Sequence, residues 1–210
     1  MTDRVDERKR ATLRRFAAIG AAAPFVGTAS ATASSDTDDN ETRDAICGYV
    51  RTTPGAHFSK LRDDLRLGTG ETQYHLRQLE DAGRVESFKD GEYRRYVSAD
   101  RFTDFEKQAI GYLRRTTPRR MIIELLRDPD TTGAAIAAAL DVSRPTISAA
   151  ASDLVDAGLL DRSDGYRLTE PEILITLIVR YADSFGSDAV SFADDAAVYM
   201  QYTPHTTDES

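Results

Sequence analysis

The hydrophobic pattern of this chain occurs twice. Shifted by 75 residues, positions 65–85 lie over 140–160 without a gap. The apolar residues Leu65, Leu67, Leu76, Leu79 and Val85 then meet Leu140, Val142, Ala151, Leu154 and Leu160, and Asp81-Ala82-Gly83 meets Asp156-Ala157-Gly158. Two copies are too few for a stacked repeat array, which needs at least three, so they read as a duplicated small domain. Within each copy the apolar spacing predicts three helices. The first covers about 43–51 and 118–127, the second 57–65 and 132–140, the third 70–82 and 145–157.

Local signals bound these helices. Pro145 suits a first helical turn, with Ser143 or Arg144 in the cap region. Gly83 and Gly158 stand where a helix ends in the left-handed conformation. Short turns at 66–69 and 141–144 separate the second and third helices. A hairpin follows each third helix. In the first copy its strands are 85–88 and 93–97 around Lys89-Asp90-Gly91-Glu92, and Asp-Gly between such runs is a strong hairpin signal. In the second copy the strands are shorter, 159–162 and 166–168 around Ser163-Asp164-Gly165.

Helix, helix-turn-helix and β-hairpin in that order form the winged-helix arrangement. The predicted fold is mostly α with small β wings: two tandem winged helix-turn-helix domains, 42–98 and 118–169, joined by a helix within 99–117. The flanking segments are 1–41, a basic Ala-rich arm followed by an acidic linker; 170–186, a C-terminal helix; and 187–210, an acidic tail. Apolar residues recur at helical spacing in the joining helix (Phe102, Phe105, Ala109, Tyr112, Leu113) and in the C-terminal one (Ile173, Leu174, Leu177, Ile178, Tyr181). These stripes either cover the two small cores or build a homodimer.

The stretch from Thr69 to Gly83 resembles the recognition helix of ArsR- and MarR-like regulators. Ser143-Arg144-Pro145-Thr146-Ile147-Ser148, closed by Asp156-Ala157-Gly158, resembles a second. The tandem arrangement is similar to that of haloarchaeal winged-helix transcription regulators. The resemblance implies double-stranded DNA as partner, a homodimer, and a third helix lying in the major groove, where each base pair shows a distinct pattern of donors and acceptors. It does not specify an effector.

On that footing the third helix buries one face and offers the other. In copy one Thr72, Leu76 and Leu79 pack inward, leaving Thr69, Glu71, Gln73, Tyr74 and Arg77 outward. Gln73 suits adenine, and Arg77 suits guanine or phosphate. His75 reads more readily as a packed residue than as a contact. Lys89, Arg94 and Arg95 belong to the wing, placed for phosphate or minor-groove contact. In copy two Ile147, Ala151 and Leu154 face inward, and Arg144, Thr146 and Ser148 outward. Residues 42–97 carry ten Lys and Arg against nine Asp and Glu, but 118–170 carry six against nine. Copy one is therefore the expected reader, and copy two a weaker binder or a module for dimerisation or sensing.

Composition adds two qualifications. Only four of the 27 basic residues are Lys, and Asp outnumbers Glu by 24 to 11, as in the proteomes of salt-loving archaea. The net charge of −8 describes the whole surface, and DNA binding needs only one basic face. The lone Cys47 cannot form an internal disulfide or a multi-cysteine zinc site and reads as a buried thiol. No phosphate-cradling loop, metal-ligand cluster or catalytic set declares itself, so no cofactor and no enzymatic activity are expected.

The front of the chain admits two readings. Arg8-Lys9-Arg10, Arg14-Arg15, the Ala-rich 16–26 and Ala29-Ser30-Ala31 follow the order of an export signal. The same residues suit a basic amphipathic helix, or a disordered arm, on a cytoplasmic protein. The body of the chain favours the cytoplasmic reading. The alternative is a winged-helix interaction module held at the envelope by this segment. The apolar part falls short of the ~20 residues that span a bilayer.

Overall fold

The computed structural model describes residues 3–20 and 34–198. They fall in two compact units, Met1–Arg114 and Arg115–Ser210. The first opens with two long helices, α1 (Asp3–Gly20) and α2 (Ser34–Thr52). Then come β1 (Ala56–His57), α3 (Phe58–Leu65), α4 (Thr69–Asp81), the hairpin β2 (Val85–Asp90) and β3 (Tyr93–Ser98), and α5 (Asp104–Leu113). The three strands form one antiparallel sheet in the order β1-β3-β2. The second unit runs α6 (Thr116–Arg127), α7 (Gly133–Leu140), α8 (Arg144–Asp156), the two-residue strands β4 (Leu160–Asp161) and β5 (Arg167–Leu168), then α9 (Pro171–Arg180), α10 (Ala182–Phe185) and α11 (Ser187–Asp195). Mostly helical units with small antiparallel wings are the predicted fold class.

The repeat is visible in the backbone. Arg66 (φ 57) and Asp141 (φ 54) are the C-caps of α3 and α7, both left-handed although neither is glycine. Each donates its N–H back to the last carbonyls of its helix. Two residues on, Gly68 and Ser143 are the N-caps of α4 and α8, and Ser143 Oγ accepts the Thr146 N–H at 3.2 Å. Gly83 (φ 63) and Gly158 (φ 70) follow the ends of those helices. Such turns swing the third helix across the second, and the left-handed residues carry a cost of about 1–2 kcal/mol each unless glycine takes the place.

Several boundaries differ from the sequence reading. His57 belongs to β1, where it pairs with Arg95, and its Nδ1 accepts the Lys60 N–H as the cap of α3. The acidic linker expected before residue 42 is, from Ser34 on, the start of α2. The helix expected to join the domains, α5, is part of the first unit: Lys107 donates to Glu86 on β2 at 3.0 Å, and Arg114 donates to the Pro54 carbonyl. The acidic tail begins as α11, with Ala189 and Phe192 buried and Asp188 bound to the buried Arg119 of α6 at 2.9 Å. The apolar stripes of α5 and α9 are largely buried.

The basic front is α1, and its apolar side is built into the first core. Leu13 is buried, and Phe16 and Ala17 pack beside it. The Phe16 ring meets Tyr49 edge-on at 5.3 Å. The helices α1 and α2 cross with their backbones in contact at Gly20 and Gly48. A Cβ on Gly48 would lie 1.8 Å from the Phe16 carbonyl oxygen, and one on Gly20 2.1 Å from that of Asp44. The cleavage-like Ala29-Ser30-Ala31 lies outside the described residues, as does the tail beyond 198.

In an isolated helix Gly48→Ala gains about 1 kcal/mol from propensity. Here the new methyl group meets backbone, which cannot swing aside, and overpacking of this kind costs about 1–3 kcal/mol or more. Gly48→Ala is therefore expected to lower the stability of the first unit in urea unfolding. A stability gain would show that α1 does not cross α2 this closely.

Candidate nucleic-acid interface

Helix α4 is buried on one side only. Thr72, His75, Leu76 and Leu79 are buried, and Thr72 Oγ1 donates to the Gly68 carbonyl. At 100° per residue this stripe leaves Gly70, Tyr74, Arg77 and Asp81 along the opposite side. Tyr74 is 53% exposed, and Gln73 and Arg77 are exposed beside it. Glu71 and Gln78 lie on one flank of that row, Gln73 and Glu80 on the other. Thr69 is exposed at the start of the helix, and its hydroxyl accepts from Arg62 at 3.4 Å.

Each flank carries an ion pair to another element. Glu71 accepts two bonds from Lys9 of α1, at 2.9 and 3.0 Å, and a third from the Gly68 N–H. Expected to point at DNA, Glu71 is instead a capping residue neutralised by a lysine. On the other flank Glu80 accepts from Arg94 of the wing at 2.7 Å and from Ser87 at 2.6 Å. This ties the wing to the helix while leaving most of Arg94 exposed.

The hairpin splits the wing candidates. Lys89 pairs with Arg94 across the strands, so both lie on the sheet face turned to α4. Arg95, next in sequence, must take the other face. It is 5% exposed, its Nε donates to Asp90 at 2.5 Å, and its Nη1 donates to the Gly55 carbonyl at 2.9 Å. The expectation that Arg95 touches DNA is thus corrected: strand alternation sends it inward as a strut. Gly111 of α5 backs the same carboxylate, since a Cβ there would lie 3.0 Å from Asp90 Cγ. Tyr93, not singled out from the sequence, stands 53% exposed on the wing, with the Arg95 guanidinium against its ring.

In the second unit Ile147, Ala150, Ala151 and Leu154 of α8 are buried. Arg144, Thr146 and Ser148 are exposed, but the Thr146 hydroxyl is bonded to Ser143 at 2.8 Å. The short wing adds little positive charge: Arg167 is held by Asp130 and the Pro129 carbonyl, and Arg162 lies over Tyr166. A cavity of about 430 Å³ in this unit is lined by Leu125, Leu126, Tyr166, Leu168, Pro171 and Ile175, among others. Among the described residues no three His, Cys, Asp or Glu side chains are grouped to hold a metal ion.

Burial holds two histidines below their usual titration range. His75 lies on the buried face of α4 with Nδ1 unpaired, and burial outweighs the opposing pull of Asp39, 3.8 Å from Nε2. For the half-buried His57, burial and then Arg95 act in the same direction. Burial also pushes the Cys47 thiol up, as a structural thiol requires.

Residues 40–110 match the model of an N-terminal HTH domain family, and residues 111–166 that of the MarR family. Over 90 residues, 43% of this chain, the sequence is 32% identical to an uncharacterised HTH-type transcriptional regulator of Methanocaldococcus jannaschii. The chain spans 22% of that relative's length. These matches and the geometry define the class: two tandem helix-turn-helix domains, the second similar to the MarR family. The matched families are not enzyme families.

Two outcomes follow for the first unit. A buried His that stays neutral binds fewer protons folded than unfolded, so stability is lost as pH falls below about 6.5 toward the folded value. His75→Leu should flatten urea-measured stability between pH 6.5 and 5, with each histidine contributing at most about 1.4 kcal/mol per pH unit. An unchanged slope would place the titration elsewhere. Arg95→Leu breaks the buried pair with Asp90 and should cost about 3–5 kcal/mol. Arg94→Ala, at an exposed pair, should cost less than about 1. Equal losses would contradict the inward strut.

Proposed function

We propose that this chain is a DNA-binding transcription regulator acting in the cytoplasm. In this reading α4 enters the major groove, and Lys89 and Arg94 of the wing touch the backbone. The observation that carries it is the exposed row of Gln73, Tyr74 and Arg77 on a helix whose other side is core. Such a helix is rigid, and its free side chains have the donors that base edges require. Thr69 stands at the helix entrance, suited to a phosphate. Arg144, Thr146 and Ser148 of α8 form a second, weaker surface, because they lack a basic wing. The chain works as a homodimer, which sets two copies of α4 about one DNA turn, ~34 Å, apart.

The cytoplasmic assignment is supported by α1. Removal of the front as an export signal would strip Leu13 and Phe16 from the first core. No described helix is long and apolar enough to cross a membrane.

The test is binding of the full chain to a duplex from its own upstream region, by fluorescence anisotropy, against an unrelated duplex of equal length. Gln73→Ala/Arg77→Ala should weaken the upstream duplex at least tenfold, since a good bidentate contact is worth about 1–3 kcal/mol. Binding to the unrelated duplex should fall much less. Equal binding of the upstream duplex by wild type and variant would remove α4 as the reader. A dimer predicts a footprint of two half-sites and a sedimentation mass of two chains.

A further inference from the structure

Helix α1 precedes both matched segments, the first of which begins at residue 40. Its rotation is set by a stripe at helical spacing: Leu13, Phe16, Ala17 and Gly20 against the core. Lys9 continues that stripe one turn earlier and ends on Glu71, at the start of α4. The residues on either side of it, Arg8 and Arg10, leave the stripe and are exposed. Arg8, Lys9, Arg10, Arg14 and Arg15 put five of the chain's 27 basic residues within eight positions. In an acidic chain that is a local concentration of positive charge; Arg14 pairs with Glu41 and Arg15 lies over Phe16, and Lys9 brings its end of the helix to the entrance of α4.

The placement is specific. Glu71 and Glu80 lie on opposite flanks of the Tyr74–Arg77 row, one bound to α1 and the other to the wing. A helix seated in the major groove has a phosphate row on each side. The wing can reach only the row on the Glu80 side. The Lys9 ammonium cancels the Glu71 carboxylate, which would otherwise repel phosphate on its own flank. The N-terminal end of α4, with its unpaired N–H groups, adds positive potential at the same place.

We infer that α1 is a second phosphate-binding element. Arg8 and Arg10 hold the DNA strand on the flank of α4 opposite the wing, and the Lys9–Glu71 pair positions them there. The inference rests on the DNA-binding reading above and adds a contact outside the helix-turn-helix domains. Phosphate contacts carry no sequence information, so α1 strengthens binding to every duplex alike.

The experiment measures anisotropy of the full chain on the upstream and the unrelated duplex across a series of KCl concentrations. Arg8→Ala/Arg10→Ala should weaken both duplexes by the same factor. It should also reduce the slope of log K against log [KCl] by about 1 for each lost arginine. Arg8→Lys/Arg10→Lys should restore most of the slope. Unchanged affinity and slope, with wild type binding normally, would overturn the role of α1 and leave the regulator reading standing. Loss confined to the upstream duplex would also overturn it, because that is base readout. Wild type failing to bind either duplex would overturn both.

Discussion

One-sided burial of α4 is the constraint on which the candidate interface depends. Thr72, His75, Leu76 and Leu79 close the first core, so the rotation of the helix about its own axis is set by packing. Everything on the other side is then placed without having to hold itself. Gln73, Tyr74 and Arg77 gain a defined direction from residues that never leave the interior. The same arrangement recurs in α8, where Ile147, Ala150, Ala151 and Leu154 do the packing. A side chain on such a helix is better placed than one on a loop, because its backbone does not reorganise on binding.

What distinguishes the two units is how each disposes of its carboxylates. In the first, Glu71 is paired with Lys9, Glu80 with Arg94 and Asp90 with Arg95, while Asp81 stays exposed at the end of α4. Arg77 and Lys89 are among the cations left exposed to an approaching polyanion. In the second, cations are consumed in the fold: Arg119 holds Asp188, and Arg167 holds Asp130. The net charge of −8 is thus compatible with one electropositive face. The exposed pairs contribute little stability, of order 0–1 kcal/mol each, so their chief effect is on where charge appears.

The buried Arg95–Asp90 pair plays a different part. It sits at the hairpin's turn, with Gly55 on one side and α5 behind. It joins wing, β1 and α5 into one body, and Glu80–Arg94–Ser87 joins that body to α4. The wing therefore keeps a set position relative to the exposed helix. Helix α1 is tied in on the other side by the Gly20–Gly48 crossing, where only glycine allows the two backbones to touch.

The sequence by itself determined what depends on a short window. The repeat, the three helices of each copy, the glycine stops, the hairpins and the inward faces of α4 and α8 all follow from periodicity and capping within some 15 residues. Alternation along β3 was also present in the sequence, and it separates Arg94 from Arg95. Which of the two faces α4 was decided only when β2 and β3 packed between α4 and α5. Tertiary structure likewise decided the use of Glu71, the place of α1 and the docking of α11. Their partners lie 62 residues away for Lys9 and Glu71, and 69 for Arg119 and Asp188. No local pattern records such pairs, because an ion pair is defined by distance in space and a periodicity by distance along the chain.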